Sequence, residues 1–168
     1  MSNLAKNNLI NLLFIIGIFL FDRLTKIYIL NLSESGIEVD FYIFSFLNIY
    51  LVWNKGVGFG LFSFDNQLFY NIISFIIVLI VLYLIYLLFY QSGVKKYFIS
   101  SIIGGALGNL FDRFTYFAVP DFIDLHYINF HWFIFNVADI FITLGLICLI
   151  FAEFLSKDQN KKNYEKQI

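Results

Sequence analysis

Residues Leu68–Tyr90 read LFYNIISFIIVLIVLYLIYLLFY, a run without one charged side chain. A helix rises about 1.5 Å per residue, and roughly 20 apolar residues cover the hydrocarbon of a bilayer. The run is therefore predicted to cross a membrane as a helix. Working outward, three more segments have the length to cross. One covers about 9–30 and carries Asp22, Arg23 and Lys26 near its end. Another covers about 97–117, with a glycine-rich start and with Asp112 and Arg113 near its end. The last covers about 132–155 and holds Asp139. The expected fold is an integral membrane protein, mainly α. It has four transmembrane helices, a small extracytoplasmic β-sheet and a second outer loop, in a single domain spanning 1–168.

Composition supports this. The chain is 60% hydrophobic and 14% charged, against about 45–50% and about 25% for a soluble domain. A net charge of −1 leaves no basic footprint for nucleic acid, and no nucleic-acid partner is expected. A single cysteine, Cys148, permits neither an intrachain disulfide nor a cysteine-based metal site. It lies in an apolar run and reads as a small hydrophobe.

Lys6 and the apolar stretch 9–20 have the look of a signal peptide, but Phe21-Asp22-Arg23-Leu24 follows where a small-residue cleavage site would be needed. The segment reads as an uncleaved anchor. Basic residues orient the bundle. Lys6, Lys95, Lys96, Lys157, Lys161, Lys162 and Lys166 fall on one side of a four-helix topology. That side is the cytoplasm, and both termini lie there. Most acids, among them Asp22, Asp112, Asp121, Asp124 and Asp139, fall toward the outer side, so the functional site is expected at the outer face.

The connection 36–64 is rich in β-branched and aromatic residues over 39–44 and 47–53, which predicts two short strands. The Gly-punctuated stretch Asn54-Lys55-Gly56-Val57-Gly58-Phe59-Gly60 predicts a turn. Residues 117–131, broken by Pro120, are expected to be an outer loop, and 157–168 a disordered polar tail. Trp53 and Trp132 suit the membrane boundary.

Polar residues gather in four clusters. Asp22 and Lys26 are four apart and share a helix face, either as an ion pair or as an interfacial anchor. The Asn54 turn is either a plain hairpin turn or a close-approach loop. Gly104 and Gly108 form a small-xxx-small pattern that lets helices pack closely. In the same stretch Asn109, Asp112 and Arg113 fall on one face, and an Asp112–Arg113 pair reads first as a structural clamp. Last, Asn136 and Asp139 are three apart on the fourth helix. Asp139 is expected about 10 Å below the helix start, with no basic partner within four residues. If Asp121 folds back to face Asp139, the two share a proton, because like charges a few Å apart do not both ionise easily. The charged member then takes a proton from water, and the neutral member hydrogen-bonds a scissile carbonyl. Asn109 and Asn136 hold either the carboxylates or the substrate backbone. On spacing alone, one loop Asp and one helical Asn–Asp pair are more often a proton or ion path or a structural network. A path to the cytoplasm would need polar groups in the inner halves of the helices, and few are found there.

Asp124 reads as a solvated loop acid. His126 and His131 are five apart, which is not helical ligand spacing, and no third ligand stands out, so no metal is expected. Glu153 reads as interfacial.

Taken in order, Asp22-Arg23-Leu24-Thr25-Lys26, Asn54-Lys55-Gly56-Val57-Gly58-Phe59, Gly108-Asn109-Leu110-Phe111-Asp112-Arg113, Val119-Pro120-Asp121-Phe122 and Phe135-Asn136-Val137-Ala138-Asp139 resemble the motifs of the lipoprotein signal peptidases, the signal peptidase II family of bacteria. The resemblance runs from the first helix to the end of the fourth. It implies an aspartic endopeptidase of the bacterial inner membrane without metal or other cofactor, and a monomer is the expected state. Such an enzyme removes the signal peptide of diacylglyceryl-modified prolipoproteins just before the lipidated cysteine, and globomycin-type cyclic peptides inhibit it. By matching position it implies Asp121 and Asp139 as the catalytic pair. Asp22, Asn54, Asn109, Arg113 and Asn136 support the site or touch substrate, and Asp112, Lys26, Gly104 and Gly108 are structural. Val57 and Gly58 stand where the family has small residues, and Pro120 where it has an aliphatic one.

Overall fold

A computed structural model describes residues 3–56, 67–128 and 130–165. Four helices, α1 (Asn3–Glu34), α2 (Gln67–Tyr90), α3 (Val94–Thr115) and α4 (Val137–Glu165), carry four strands, β1 (Asp40–Phe44), β2 (Leu47–Asn54), β3 (Val119–Tyr127) and β4 (Phe130–Phe135). The strands form one antiparallel sheet in the order β1-β2-β3-β4. α2 and the 137–156 part of α4 are each long and apolar enough to cross a membrane. Large apolar side chains such as Leu12, Leu13, Phe75, Leu82, Phe151 and Phe154 face outward. That exterior suits hydrocarbon, where no hydrophobic force drives helices together and close van der Waals packing must hold them.

α3 is the centre of the bundle and packs against α1, α2 and α4. Its glycines make this possible. A Cβ on Gly104 would stand 2.9 Å from Ile18 Cβ, and one on Gly108 would stand 2.5 Å from an Asp22 oxygen. On a neighbouring face, a Cβ on Gly105 would stand 2.5 Å from the Ala138 carbonyl oxygen. The pattern 104/108 thus seats α1, and Gly105 seats α4. Ile29, Val39, Phe122 and Val137 form the apolar cluster that fixes the sheet on the ends of α1 and α4.

Several expectations are corrected. Most of the expected outer loop is strand. Residues 119–127 form β3 and 130–131 open β4, because 119–127 pair with β2 on one side and β4 on the other. Pro120 stands near the start of β3, where a missing donor costs the ladder little. The fourth helix begins at Val137 rather than near 132, so Trp132 lies on β4 and Asp139 is the third residue of α4. α4 continues through Glu165, so most of the expected tail is helical. Within the Asn54 turn, Val57, Gly58, Phe59 and Gly60 lie outside the described residues.

Candidate active site

Three asparagines converge on two aspartates where the sheet meets the tops of α3 and α4. Each asparagine has its amide oxygen anchored elsewhere, which turns its NH2 toward a carboxylate. Asn54 ends β2, and its Oδ1 accepts the Gly56 N–H at 2.8 Å. Its Nδ2 donates to Asp121 Oδ2 at 2.8 Å. The antiparallel register, with Val52 opposite Asp121 and Asn54 opposite Val119, places the two side by side. Asn136 precedes α4 and acts as its N-cap. Its Oδ1 accepts the Asp139 N–H at 3.2 Å, while Asp139 Oδ2 accepts the Asn136 N–H at 3.1 Å. This reciprocal pair is a capping box. Asn136 Nδ2 then remains free to donate to Asp121 Oδ1 at 2.6 Å. One residue therefore holds both carboxylates.

Asn109 completes the set from α3. Lys26 Nζ donates to its Oδ1 at 2.9 Å, and Asn109 Nδ2 donates to Asp139 Oδ1 at 2.8 Å. Each amide assignment follows from an unambiguous donor on its oxygen side. The asparagines thus hold the carboxylates.

Beneath this layer lies a buried charge lattice. Lys26 is wholly buried and lies 2.9 Å from Asp22 Oδ2 and 2.7 Å from Asp112 Oδ2. With Asn109, these acceptors account for its three N–H donors. Arg23 lies 3.1 Å from Asp22 and 2.6 Å from Asp112, and its guanidinium sits 4.9 Å from the centre of the Phe111 ring. Two cations balance two anions, which is what makes burial of either tolerable. Removing one partner of such a set typically costs about 3–5 kcal/mol. Asp22 Oδ1 also accepts the Ala138 N–H at 3.0 Å. It thereby satisfies an orphan donor in the first turn of α4, where negative charge is favoured. The Asp22–Lys26 pair expected from spacing is present. Asp112 pairs with Arg23 and Lys26 rather than with Arg113, because the tops of α1 and α3 are pressed together by Gly104 and Gly108.

Arg113 turns instead toward the Asn54 turn, where it donates to the Gly56 carbonyl. Its guanidinium lies 5.2 Å from the centre of the Tyr70 ring, and the Tyr70 hydroxyl donates to its carbonyl at 3.2 Å. Asp124, expected in solvent, is 3% exposed, with His131 Nδ1 2.9 Å from its Oδ2. Sequence reasoning gave no role to Arg23 or Gly105, although charge in an apolar helix and a doubled glycine marked both. For Tyr70 there was no signal.

Asp121 is 2% exposed. Its carboxyl is pushed up to about 7, first by burial and then by the Asp139 charge, against the opposing hydrogen bonds from Asn54 and Asn136. Asp139 opens onto a cavity of about 660 Å³ between the β3–β4 hairpin and α4. Its wall is otherwise mostly apolar, with Leu125, Phe130, Trp132, Phe135, Ile140 and Leu144. Two buried carboxylates, one titrating near neutrality, beside an apolar cavity are equipped for acid–base work on an apolar substrate.

The family model described as Signal peptidase (SPase) II matches residues 14–155. A lipoprotein signal peptidase of Pelagibacter ubique (strain HTCC1062) is 52% identical over 160 residues, covering 94% of this chain and 96% of that one. The lipoprotein signal peptidase of Anaplasma marginale (strain Florida) is 38% identical over 155 residues, covering 89% and 87%. A solved bacterial membrane enzyme superposes with a TM-score of 0.68 at 30% identity, covering 90% of each chain. Sequence, fold and the extent of the match agree, and the chain belongs to the signal peptidase II family of peptidases.

Proposed function

We propose that this peptidase removes the signal peptide from diacylglyceryl-modified prolipoproteins by cutting just before the lipidated cysteine, with Asp121 and Asp139 as its catalytic pair. The observation that carries the proposal is that Asn136 holds both carboxylates, the amide on Asp121 and the backbone N–H on Asp139. With one proton between them, the charged member takes a proton from water as the water attacks the scissile carbonyl. The neutral member donates a hydrogen bond to the carbonyl oxygen, where negative charge develops. As the tetrahedral intermediate collapses, a proton passes to the leaving amine and the pair regains its starting state. The three asparagines hold the carboxylates in place and need not move during the reaction, which is the condition for electrostatic preorganisation.

The apolar cavity beside Asp139 fits the substrate's lipid or the apolar part of its signal peptide, and a globomycin-type cyclic peptide would block the same space. All four helices cross the bacterial inner membrane in this reading, both termini are cytoplasmic and the site lies at the outer face. A proton or solute path is disfavoured. At the end of the bundle away from the sheet, the polar groups close on each other: Ser100 donates to Asn11 Oδ1 at 3.3 Å and Asn11 donates to the Asn7 carbonyl at 2.8 Å.

The test is made in bacterial cells depleted of their own signal peptidase II and supplied with this chain. Mass spectrometry of a tagged lipoprotein should show the N-terminus beginning at the lipidated cysteine. Cells given Asp139→Asn at equal membrane abundance should accumulate the lipid-bearing precursor. Mature lipoprotein at the normal rate in those cells would exclude the pair.

A further inference from the structure

The hairpin of β3 and β4 brings together three groups that the proposed peptidase chemistry does not use: Asp124, His126 and His131. His126 and His131 stand opposite each other in the strand register. Five residues apart is not helical ligand spacing, but across this hairpin it makes neighbours. Their rings stack with centroids 5.2 Å apart. Asp124 Oδ2 lies 2.9 Å from His131 Nδ1 and 3.9 Å from His126 Nδ1. One donor atom from each of the three falls within 4.8 Å of the others. The carboxylate is 3% exposed, yet among the described residues neither its Oδ1 nor His126 Nδ1 has a hydrogen-bond partner. Buried polar atoms in a folded protein are almost always satisfied, so an unpartnered carboxylate oxygen on Asp124 and an unpartnered ring nitrogen on His126 ask for a ligand.

We infer that Asp124, His126 and His131 form a binding site for a divalent transition metal ion of the zinc type. Two imidazoles and one carboxylate are a zinc donor set, whereas calcium and magnesium require mainly oxygen. Around a tetrahedral ion with bonds of about 2.1 Å, ligand atoms sit about 3.4 Å apart. The separations of 2.9 and 3.9 Å lie on either side of that value, so small side-chain rotations close the site. Three protein ligands leave one position for water. The ion would clamp β3 to β4 at the hairpin that walls the cavity, since His126 also lines that cavity. Its role is to fix that wall, apart from the bonds that hold Asp121 and Asp139.

The experiment uses the full chain, purified in detergent without a polyhistidine tag, stripped with chelator and titrated with Zn2+ by calorimetry. One ion per chain should bind, and the melting temperature should rise with Zn2+ concentration. His126→Ala and His131→Ala should each weaken binding at least about tenfold and abolish the thermal shift. The His131 side chain is 59% exposed, so its variant keeps the fold, which circular dichroism checks. Asp124→Asn, at a buried position, is a secondary variant. Absence of saturable binding, or binding unchanged in both histidine variants, would overturn the inference.

Discussion

Asp121 is the residue on which pH acts. Its carboxyl rises to about 7 because burial, and then the charge of Asp139, penalise its ionised form. In the unfolded chain it would titrate near about 4. A folded pKa above the unfolded one adds stability at low pH, and that contribution is lost as pH rises from about 4 through about 7. The difference corresponds to a contribution on the order of 4 kcal/mol. The melting temperature in detergent should therefore fall over this window, and Asp121→Asn should flatten that part of the slope. An unchanged slope in the variant would count against a raised carboxyl at this position. Activity should decline on the alkaline side of about pH 7, where the pair loses its one proton. The acids and amides of the site were legible in the sequence because polar residues are expensive in an apolar chain. What each touches was not. Asn109 could have faced substrate, and only the Lys26 ammonium on its oxygen shows that its NH2 is turned to Asp139. Asp124 was misjudged because a loop was expected where β3 runs, and strand pairing buried it.

Among the elements, α3 sets the geometry. Gly108 admits the Asp22 carboxylate, with no room for a Cβ, and Asp22 in turn caps Ala138 in α4. Gly108→Ala should therefore push α1 away and disturb both the charge lattice and the start of α4. Overpacking of this kind costs about 1–3 kcal/mol, and the melting temperature and cleavage rate should fall together. Gly17→Ala, on α1 with nothing within 4 Å of the added carbon, is the control and should be close to neutral. Equal effects from the two substitutions would contradict close approach as the cause. The apolar runs that became helices were readable from length and composition. The boundary of α4 was not, because Trp132 to Phe135 is as apolar as the helix it precedes. The deciding signal lies in Asn136 and Asp139, whose three-residue spacing is a capping box as well as a shared face.

The whole molecule is a helical bundle whose site carboxylates and asparagines are gathered at one end under a sheet, with an apolar cavity opening beside Asp139. If all four helices cross with cytoplasmic termini, Ser35, just after α1, is outside and Gln91, just after α2, is inside. In a Cys148→Ser background, Ser35→Cys should react with a membrane-impermeant maleimide in intact spheroplasts. Gln91→Cys should react only after permeabilisation, and the reverse pattern would invert the orientation. The claim beneath all of this is that Asp121 and Asp139 act as one unit on one water. The most direct measurement is single-turnover cleavage of a lipid-modified precursor by purified protein in detergent, comparing the wild type with Asp121→Asn, Asp139→Asn and the double variant. Each single change should lower the rate at least about 10²–10⁴-fold, and the double change should cost little more, because groups that work as a unit are not additive. A single variant that cleaves at the wild-type rate, or losses that simply multiply in the double variant, would contradict the account.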